Sequence, residues 1–445
     1  MKKLERPPNL DSWGHVTMGE ILKGLRSAGI DVHSFKEKLS EINKDYPYWD
    51  TFKYRTKSWG VDPEVLWVLS RDPDSGININ ISKNPHFDFK YNLLGRVLRS
   101  LHRFDMQMGG LLVGESTIPE DDKNRYLISS IMEEAIASSQ LEGAVTTREI
   151  AKEMLRSNKK PTSLSEKMIL NNYITIKRVL ELKGQRITKD LILEIQGLMT
   201  KDTLTNPINE GKFRESNDVN VVDAVTGEIF YTPPDFRNLG QLMDDFCTFA
   251  NEEDDDAFIH PIIKGIILHF LIGYIHPFVD GNGRTARAIF YWYLISKGYW
   301  LVEYMSISRI IVRAPSQYAK AYLYTEYDDN DLTYFIDYNI KALDEALKSL
   351  QKYIQLKIKE KKDLLNSFKN ENINERQAEI LKSVLVDHLK SLTIQEIQNK
   401  FAVVYQTART DLLGLVALGY LTEKKMGKKL VFFRADDLEA KLGRR

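Results

Sequence analysis

Along residues 122–349 apolar side chains recur every three or four positions, a spacing that predicts a run of amphipathic helices. The candidate helices cover Asn124–Leu141, Ser165–Leu182, Lys189–Met199, Asn238–Asn251, Pro261–Ile275, Gly283–Lys297 and Ser316–Tyr327. One segment breaks the pattern. Val219–Thr232 reads as two β-rich runs around Thr226-Gly227, followed by Pro233-Pro234, and so predicts a hairpin inside a helical region. Upstream, Phe89–Met108 carries helical spacing through Leu93, Leu94, Val97, Leu98 and Leu101, and Asp72–Gly76 is a turn signal. Gly109–Glu115 is glycine-rich but lacks Gly-Lys-Ser/Thr, so it reads as a turn and not as a phosphate loop. The fold class is mainly α.

Asp331–Asn366 predicts one long helix ending in the Lys-rich stretch 357–362, a solvated connector. Beyond it, Glu375–Leu389 is helical, Thr393-Ile394-Gln395-Glu396 is a capping box that opens a second helix, and a third begins near Val404. That third helix buries Ala408, Leu412, Leu415 and Val416 and stops at Gly419. Tyr420–Glu423 and Leu430–Phe433 read as strands joined by Lys424–Lys429. This is the order of a winged helix-turn-helix. The chain therefore divides into 1–115, a helical core over 116–349, a linker over 350–371 and a C-terminal module over 372–445.

At 445 residues several domains are expected, and 43% apolar with 28% charged side chains is a soluble, globular balance. Lys plus Arg equals Asp plus Glu at 62 each, so no overall field points to nucleic acid or to a membrane. Cys247 is the only cysteine, which excludes an internal disulfide or a zinc ribbon, and it reads as a small buried hydrophobe. The start of the chain has no signal-like apolar run, and the most apolar stretch, Ile262–Ile275, is interrupted by Lys264 and His269. A cytoplasmic protein with no membrane partner is expected.

The chemistry gathers in His276-Pro277-Phe278-Val279-Asp280-Gly281-Asn282-Gly283-Arg284-Thr285-Ala286-Arg287. A buried helix must end near Ile275, because a residue before proline is pushed out of the α region, and the His276 ring then faces the loop. Phe278 reads as an apolar anchor under that loop. Gly281 and Gly283 allow tight turning and close approach of a ligand. A new helix starting near Asn282 offers unpaired amides and the positive end of its dipole. Arg284 and Arg287, three apart, can both lean toward one anion, and Asp280 beside them makes sense if a hard divalent cation bridges it to phosphate oxygens. A base, a metal carboxylate, an amide cradle and two guanidinium groups suit transfer of a nucleotidyl group to a hydroxyl. A metal-hydrolase reading would recruit His260, His269, His276 and Asp280. No HExxH-type pair exists, however, and both arginines would stand unexplained, so His269 is better taken as a core histidine.

The run matches all eight specified positions of HxFx(D/E)GNGRxxR, so the chain resembles the Fic family from about Ile131 to Phe335, more weakly around Tyr48-Trp49-Asp50. The resemblance implies transfer of AMP from ATP to a Tyr, Thr or Ser hydroxyl of a protein. It makes His276 the base and Asp280 the Mg²⁺ ligand. Gly281, Asn282, Gly283 and Thr285 would line the nucleotide, Arg284 would neutralise the transferring phosphates, and Arg287 would meet the γ-phosphate. Relatives with lysine in place of the second glycine phosphorylate instead, so Gly283 favours AMP transfer.

Ser138-Ser139-Gln140-Leu141-Glu142-Gly143 closes a helix, with Gly143 placed to stop it and Ser138 and Glu142 on one face. The residues alone leave open a solvated helix-end glutamate. The fragment resembles (S/T)xxxE(G/N), the inhibitory helix of many Fic proteins, which implies that Glu142 pairs with Arg287 and obstructs the γ-phosphate. In some relatives the same glutamate supports AMP removal, so a reverse activity stays open. Phe213-Arg214 with Val219–Thr232 resembles the family's flap, implying that a target segment binds along 219–232 by strand addition and that Ile229 and Tyr231 wall the nucleotide. Tyr318 resembles an aromatic near adenine. For the C-terminal module, Gln406, Thr407, Arg409 and Thr410 on the third helix leave DNA contact and protein contact both open, as is a homodimer. The alternatives to a transferase that holds itself in check are a DNA-binding transcriptional regulator using the site as a nucleotide sensor, and a growth-arresting toxin with an internal brake.

Overall fold

A computed structural model describes residues 4–8, 17–71, 76–82, 87–109, 123–222, 227–252, 258–367, 373–386, 391–426 and 429–441. Four helices open the chain: α1 (Met18–Ser27), α2 (Val32–Asp45), α3 (Trp49–Thr56) and α4 (Pro63–Ser70). Thr17, Asp31 and Asp62 cap α1, α2 and α4 by accepting amides of the first turn. Together they enclose Trp49, Phe52 and Trp67 in a cluster that Tyr334, from far along the chain, completes. An antiparallel pair follows, β1 (Ile77–Asn80) and β2 (Asp88–Tyr91), with Ile77 opposite Tyr91.

This pair corrects the helix expected over Phe89–Met108, since α5 starts only at Gly95 (Gly95–Met108). Phe89 and Tyr91 are buried on either side of the half-buried Lys90, a period of two that a strand satisfies. Lys90 also exchanges backbone bonds with Asn330 and Leu332. The turn residues 72–75 and 110–115 lie outside the described residues.

The middle of the chain supplies α6 (Lys123–Leu141), α7 (Arg148–Ser157), α8 (Leu164–Glu181) and α9 (Lys189–Thr200), of which α7 was not anticipated. Next comes the short hairpin β3 (Val221–Val222) and β4 (Ile229–Tyr231), paired with Val221 opposite Tyr231 and an irregularity beside it. Its turn, at 223–226, is not described. Then follow α10 (Leu239–Asn251), α11 (Pro261–Ile275), α12 (Asn282–Ser296), α13 (Ser308–Ile311), α14 (Pro315–Tyr327) and α15 (Thr333–Ser367). Helix α11 is buried along its whole length from Ile262 except at Gly273, so its apolar sequence, broken only at Lys264 and His269, reflects a central core helix. It packs on α10, α12 and α15. The 349/350 division falls inside α15, and Leu350 and Ile354 still pack in the main core. The connector therefore leaves the core later than expected.

The C-terminal residues form α16 (Glu375–Val386), β5 (Leu392–Thr393), α17 (Ile394–Phe401), α18 (Tyr405–Ala417), β6 (Leu421–Met426), β7 (Lys429–Arg434) and α19 (Leu438–Lys441), with an antiparallel sheet in the order β5–β7–β6. They bury a cluster of their own around Leu381, Leu412, Leu415 and Phe432. The Thr393/Glu396 capping box closes reciprocally, at 3.2 and 2.8 Å. Arg125 of α6 grips Glu379 of α16 through two parallel bonds of 2.9 Å. On α18, Gln406, Arg409 and Thr410 are exposed and Thr407 is half-buried, while residues 427–428 of the β6–β7 turn are not described. Among the described residues no helix is long and apolar enough to cross a membrane.

Candidate active site

Helix α11 is capped by His260, whose ring accepts the Ile262 amide ahead of Pro261 at the first helical position. At its far end His276 takes φ 50° and ψ 56°, the left-handed basin, and its amide closes on Ile272 O at 3.0 Å. This refines the expectation for a residue before proline. Proline bars the right-handed region, and the left-handed one also lets the helix satisfy a last carbonyl. Imidazole Nδ1 lies 3.1 Å from Gly273 O, and a carbonyl can only accept, so Nδ1 carries a proton and the neutral ring has its lone pair on Nε2. Burial holds the imidazole pKa below its ordinary value and is reinforced by the Arg214 charge, against the Gly273 bond and the carboxylates of Glu142 and Asp280. His276 is thus a neutral imidazole poised to accept a proton.

The loop after it is closed from beneath. Phe278 is fully buried and stacks on Phe213 at 5.6 Å. The Asn282 carboxamide donates to Phe278 O at 2.8 Å and accepts from Phe278 N–H at 3.0 Å. That side chain is therefore spent on the loop, leaving its backbone amide as what it can offer an anion. Gln196 of α9 donates to Asp280 O at 3.1 Å and accepts from Gly211 N–H at 2.6 Å. Gly281 stands at φ 85°, and a Cβ there would come within 2.8 Å of Thr200 Cγ2, so conformation and space both require glycine.

Helix α12 starts at Asn282, and its first intrahelical bond is Thr285 N–H to Gly281 O, so the amides of Asn282 to Arg284 face the loop mouth. Gly283 has ordinary helical backbone, which corrects the role given to it as a turn residue. What it supplies is room: a Cβ there would collide with Glu142 Oε1 and come within 3.2 Å of Arg287 Nη1. Thr285 is fully buried with Oγ1 unpartnered, and so belongs to the packing behind the cradle.

The two arginines have opposite surroundings. Arg284 Nη1 donates to Met199 O at 3.0 Å, Nη2 is 3.7 Å from Asp280 Oδ1, and neither Nε nor Nη2 has a hydrogen-bond partner. Arg287 turns to α6. Its Nε donates to Ser138 Oγ and its Nη2 to Ser138 O, each at 2.9 Å, and Nη2 also donates to Glu142 Oε1 at 2.8 Å. Only its Nη1 is left, beside Gly283. Gly143, at φ 90°, ends α6 in a Schellman closure, with Ala144 N–H to Ser139 O and Gly143 N–H to Gln140 O, which places Glu142 over the first turn of α12.

The spacing of apolar positions does not reveal the buried carboxylates of α6, Glu133 and Glu134. Glu134 accepts from Tyr291 Oη, Ser306 Oγ and the amide and hydroxyl of Ser308, tying α6 to α12 and α13. The hydroxyl-rich run Ser306-Ile307-Ser308 was the available signal.

Ile229 is exposed and Tyr231 donates to Tyr274 O at 2.9 Å. Both line cavities that His276 does not border: one of about 860 Å³ bounded by Ile229, Asp50, Lys320 and Tyr327, and one of about 350 Å³ bounded by Tyr231, Tyr274 and Glu326. Tyr318 is 2.8 Å from His269 Nε2, in an aromatic cluster with Tyr322, Phe335 and Tyr338. His269 is 1% exposed and its Nδ1 has no partner, so it is a core histidine only half satisfied. His260, at the other end of α11, pairs with Asp105, and among the described residues no group of three potential ligands surrounds a metal position.

Comparison with known proteins adds three relatives named protein adenylyltransferase Fic. Similarity is 32% identity over 136 residues to that of Drosophila mojavensis and 34% over 117 residues to that of Nematostella vectensis. To that of Drosophila melanogaster it is 38% over 94 residues. The matches cover 31%, 26% and 21% of this chain and 22%, 25% and 17% of the relatives, so the chain spans a quarter or less of their length. Among solved structures, a Fic family protein from Desulfovibrio desulfuricans superposes with a TM-score of 0.48 at 14% identity, over 77% of this chain and 95% of that one. Residues 186–294, which hold α9, the hairpin, α10, α11 and all but the last two residues of α12, match the model of the Fic/DOC family.

Proposed function

We propose that the protein transfers AMP from Mg·ATP to a hydroxyl of a protein, itself included, and that Glu142 holds this activity down. The observation that carries the reading is the pairing of a neutral, tautomer-fixed imidazole with a buried guanidinium edge that has no hydrogen-bond partner, at the start of one helix. An unpartnered buried donor costs free energy that a bound anion would recover. Asp280, half exposed beside that edge, is the carboxylate that would hold Mg²⁺, whose charge would ease departure of pyrophosphate.

In this scheme the acceptor hydroxyl lies against His276 Nε2. As its oxygen attacks the α-phosphorus, the proton passes to Nε2, the bond from the α-phosphorus to the bridging oxygen breaks, and pyrophosphate leaves with that oxygen. Arg284 and the amides of Asn282 and Gly283 meet the charge that builds on the phosphates. Hairpin β3–β4 would hold the acceptor segment by main-chain pairing. The Glu142 carboxylate lies where a γ-phosphate would approach Arg287, which is why activity would be restrained.

With α-labelled ATP, Glu142→Gly is expected to incorporate label at least about tenfold faster than the parent, and His276→Ala in that background to lose at least about a hundredfold, the scale of a positioned base. Label from γ-labelled ATP should not be incorporated. Absence of α-label in the Glu142→Gly protein would remove adenylyl transfer from consideration.

A further inference from the structure

Arg214, buried to 3% exposure, touches no position expected for nucleotide, yet its side chain reaches three separate pieces of backbone. Nε donates to His276 O at 2.9 Å. Nη1 donates to Ser216 O at 2.9 Å and to Asn217 Oδ1 at 3.2 Å, and Nη2 donates to Pro234 O. Its own amide donates to Pro277 O at 2.8 Å. Ser216 and Asn217 precede hairpin β3–β4 and Pro234 follows it, so one guanidinium joins both roots of the hairpin to the peptide carrying the candidate base. Asn217 Oδ1 also accepts the Phe236 amide at 2.9 Å, which ties the far root in again.

That peptide needs holding. His276 is a non-glycine residue at φ 50°, and such backbone persists only where its surroundings determine it. Arg214 takes both carbonyls of the His276–Pro277 step, one through its side chain and one through its backbone. We propose that Arg214 is a positioning residue, which locks the His276 imidazole and the acceptor-holding hairpin into a single register. The role rests on the reading of His276 as base and of the hairpin as acceptor platform. It requires a planar fork: the ammonium of a lysine is a single point and cannot serve diverging carbonyls on three segments.

The test compares Glu142→Gly with Glu142→Gly/Arg214→Lys, measuring transfer from α-labelled ATP and counting competent sites by ADP titration. The second change is expected to lower kcat per competent site by about tenfold to a hundredfold, the cost of misplacing reacting groups by about an ångström, with the KM for ATP within about twofold. A residue of purely structural value would reduce the number of sites and leave kcat per site alone. An unchanged kcat per site overturns the role, as does an ATP KM that rises as far as kcat falls. Should the lysine variant not fold, Asn217→Ala removes the 3.2 Å contact to Arg214 together with the acceptor of the Phe236 amide, both at the roots of the hairpin, and a kcat loss of about threefold or more upholds the role while none overturns it. A Glu142→Gly parent with no transfer overturns the functional reading itself, and Arg214's role with it.

Discussion

The two walls of the cradle differ in how far the protein completes them. Arg284 and Arg287 stand one turn apart on α12, at 1% and 3% exposure, yet Arg284 has one nitrogen bonded and Arg287 has two nitrogens making three bonds. Burial weakens proton binding at Arg284, with Asp280 opposing from 3.7 Å. Burial works the same way at Arg287, but there the Glu142 carboxylate and its hydrogen bond outweigh it and raise the pKa. Facing α9, the wall is left unfinished, with buried nitrogens that a bound anion would satisfy. Facing α6, it is finished by the chain itself and so closed to one. In the proposed scheme the same residue type on the same helix would serve recognition on one side and restraint on the other.

The largest effect expected from that contrast is on turnover. In the Glu142→Gly background, Arg284→Met should lower adenylyl transfer by about 10²–10³, the scale of a lost transition-state donor in a dry site. Its stability to urea should hold or rise, because a buried charge with unsatisfied nitrogens has been replaced by a side chain that fits. Undiminished transfer would show that the orphaned edge is not a phosphate site.

Stability should order the pair the other way. Arg287→Met in the otherwise unchanged protein breaks the bonds to Ser138 and to Glu142, whose side chain is about a third exposed and can rehydrate in part. A loss of about 1–3 kcal/mol is expected in urea unfolding, against about zero for Arg284→Met. Equal losses from the two variants would erase the contrast between finished and unfinished walls.

What the sequence revealed of this site follows from how local each signal is. His276 to Arg287 is one helix end, one loop and one helix start, so its spacing alone located the imidazole, the Asp280 carboxylate and the opening of α12, with the candidate helix starting one residue late. Gly283 was misjudged because its reason for being glycine is a carboxylate 141 positions earlier in the chain, which no local pattern encodes. The Glu142–Arg287 pair was suggested only by resemblance, since periodicity shows which face of α6 is buried and not what meets it. Glu134 lies on a helix face that reads as polar, and its four donors come from residues 291–308. Strand β2 was hidden under the helical spacing of Leu93 to Leu101, because a four-residue strand cannot outweigh the longer pattern that runs into it.

The finest distinction between the walls lies behind Arg287. His269 has its pKa pulled down to about 3 by burial, with the Arg287 charge adding to the effect, while Arg284 is no part of the cause. In the unfolded chain this imidazole titrates near 6.5. Below that value the unfolded state binds a proton that the folded state refuses, so stability falls as pH drops toward 3, by about 1.4 kcal/mol per pH unit at most. Glu326, raised to about 8 by burial, acts with the opposite sign, since its contribution is present at low pH and is lost as pH rises through 8. The His269 part is therefore isolated as the difference between the parent and His269→Gln in urea midpoints from pH 6.5 down to 4.5. Arg287→Met should flatten that difference, because a histidine relieved of the neighbouring cation takes its proton at higher pH. Arg284→Met should leave it as it is. If both variants flatten it alike, the two guanidinium groups share one electrostatic environment, and the division between the walls is geometric only.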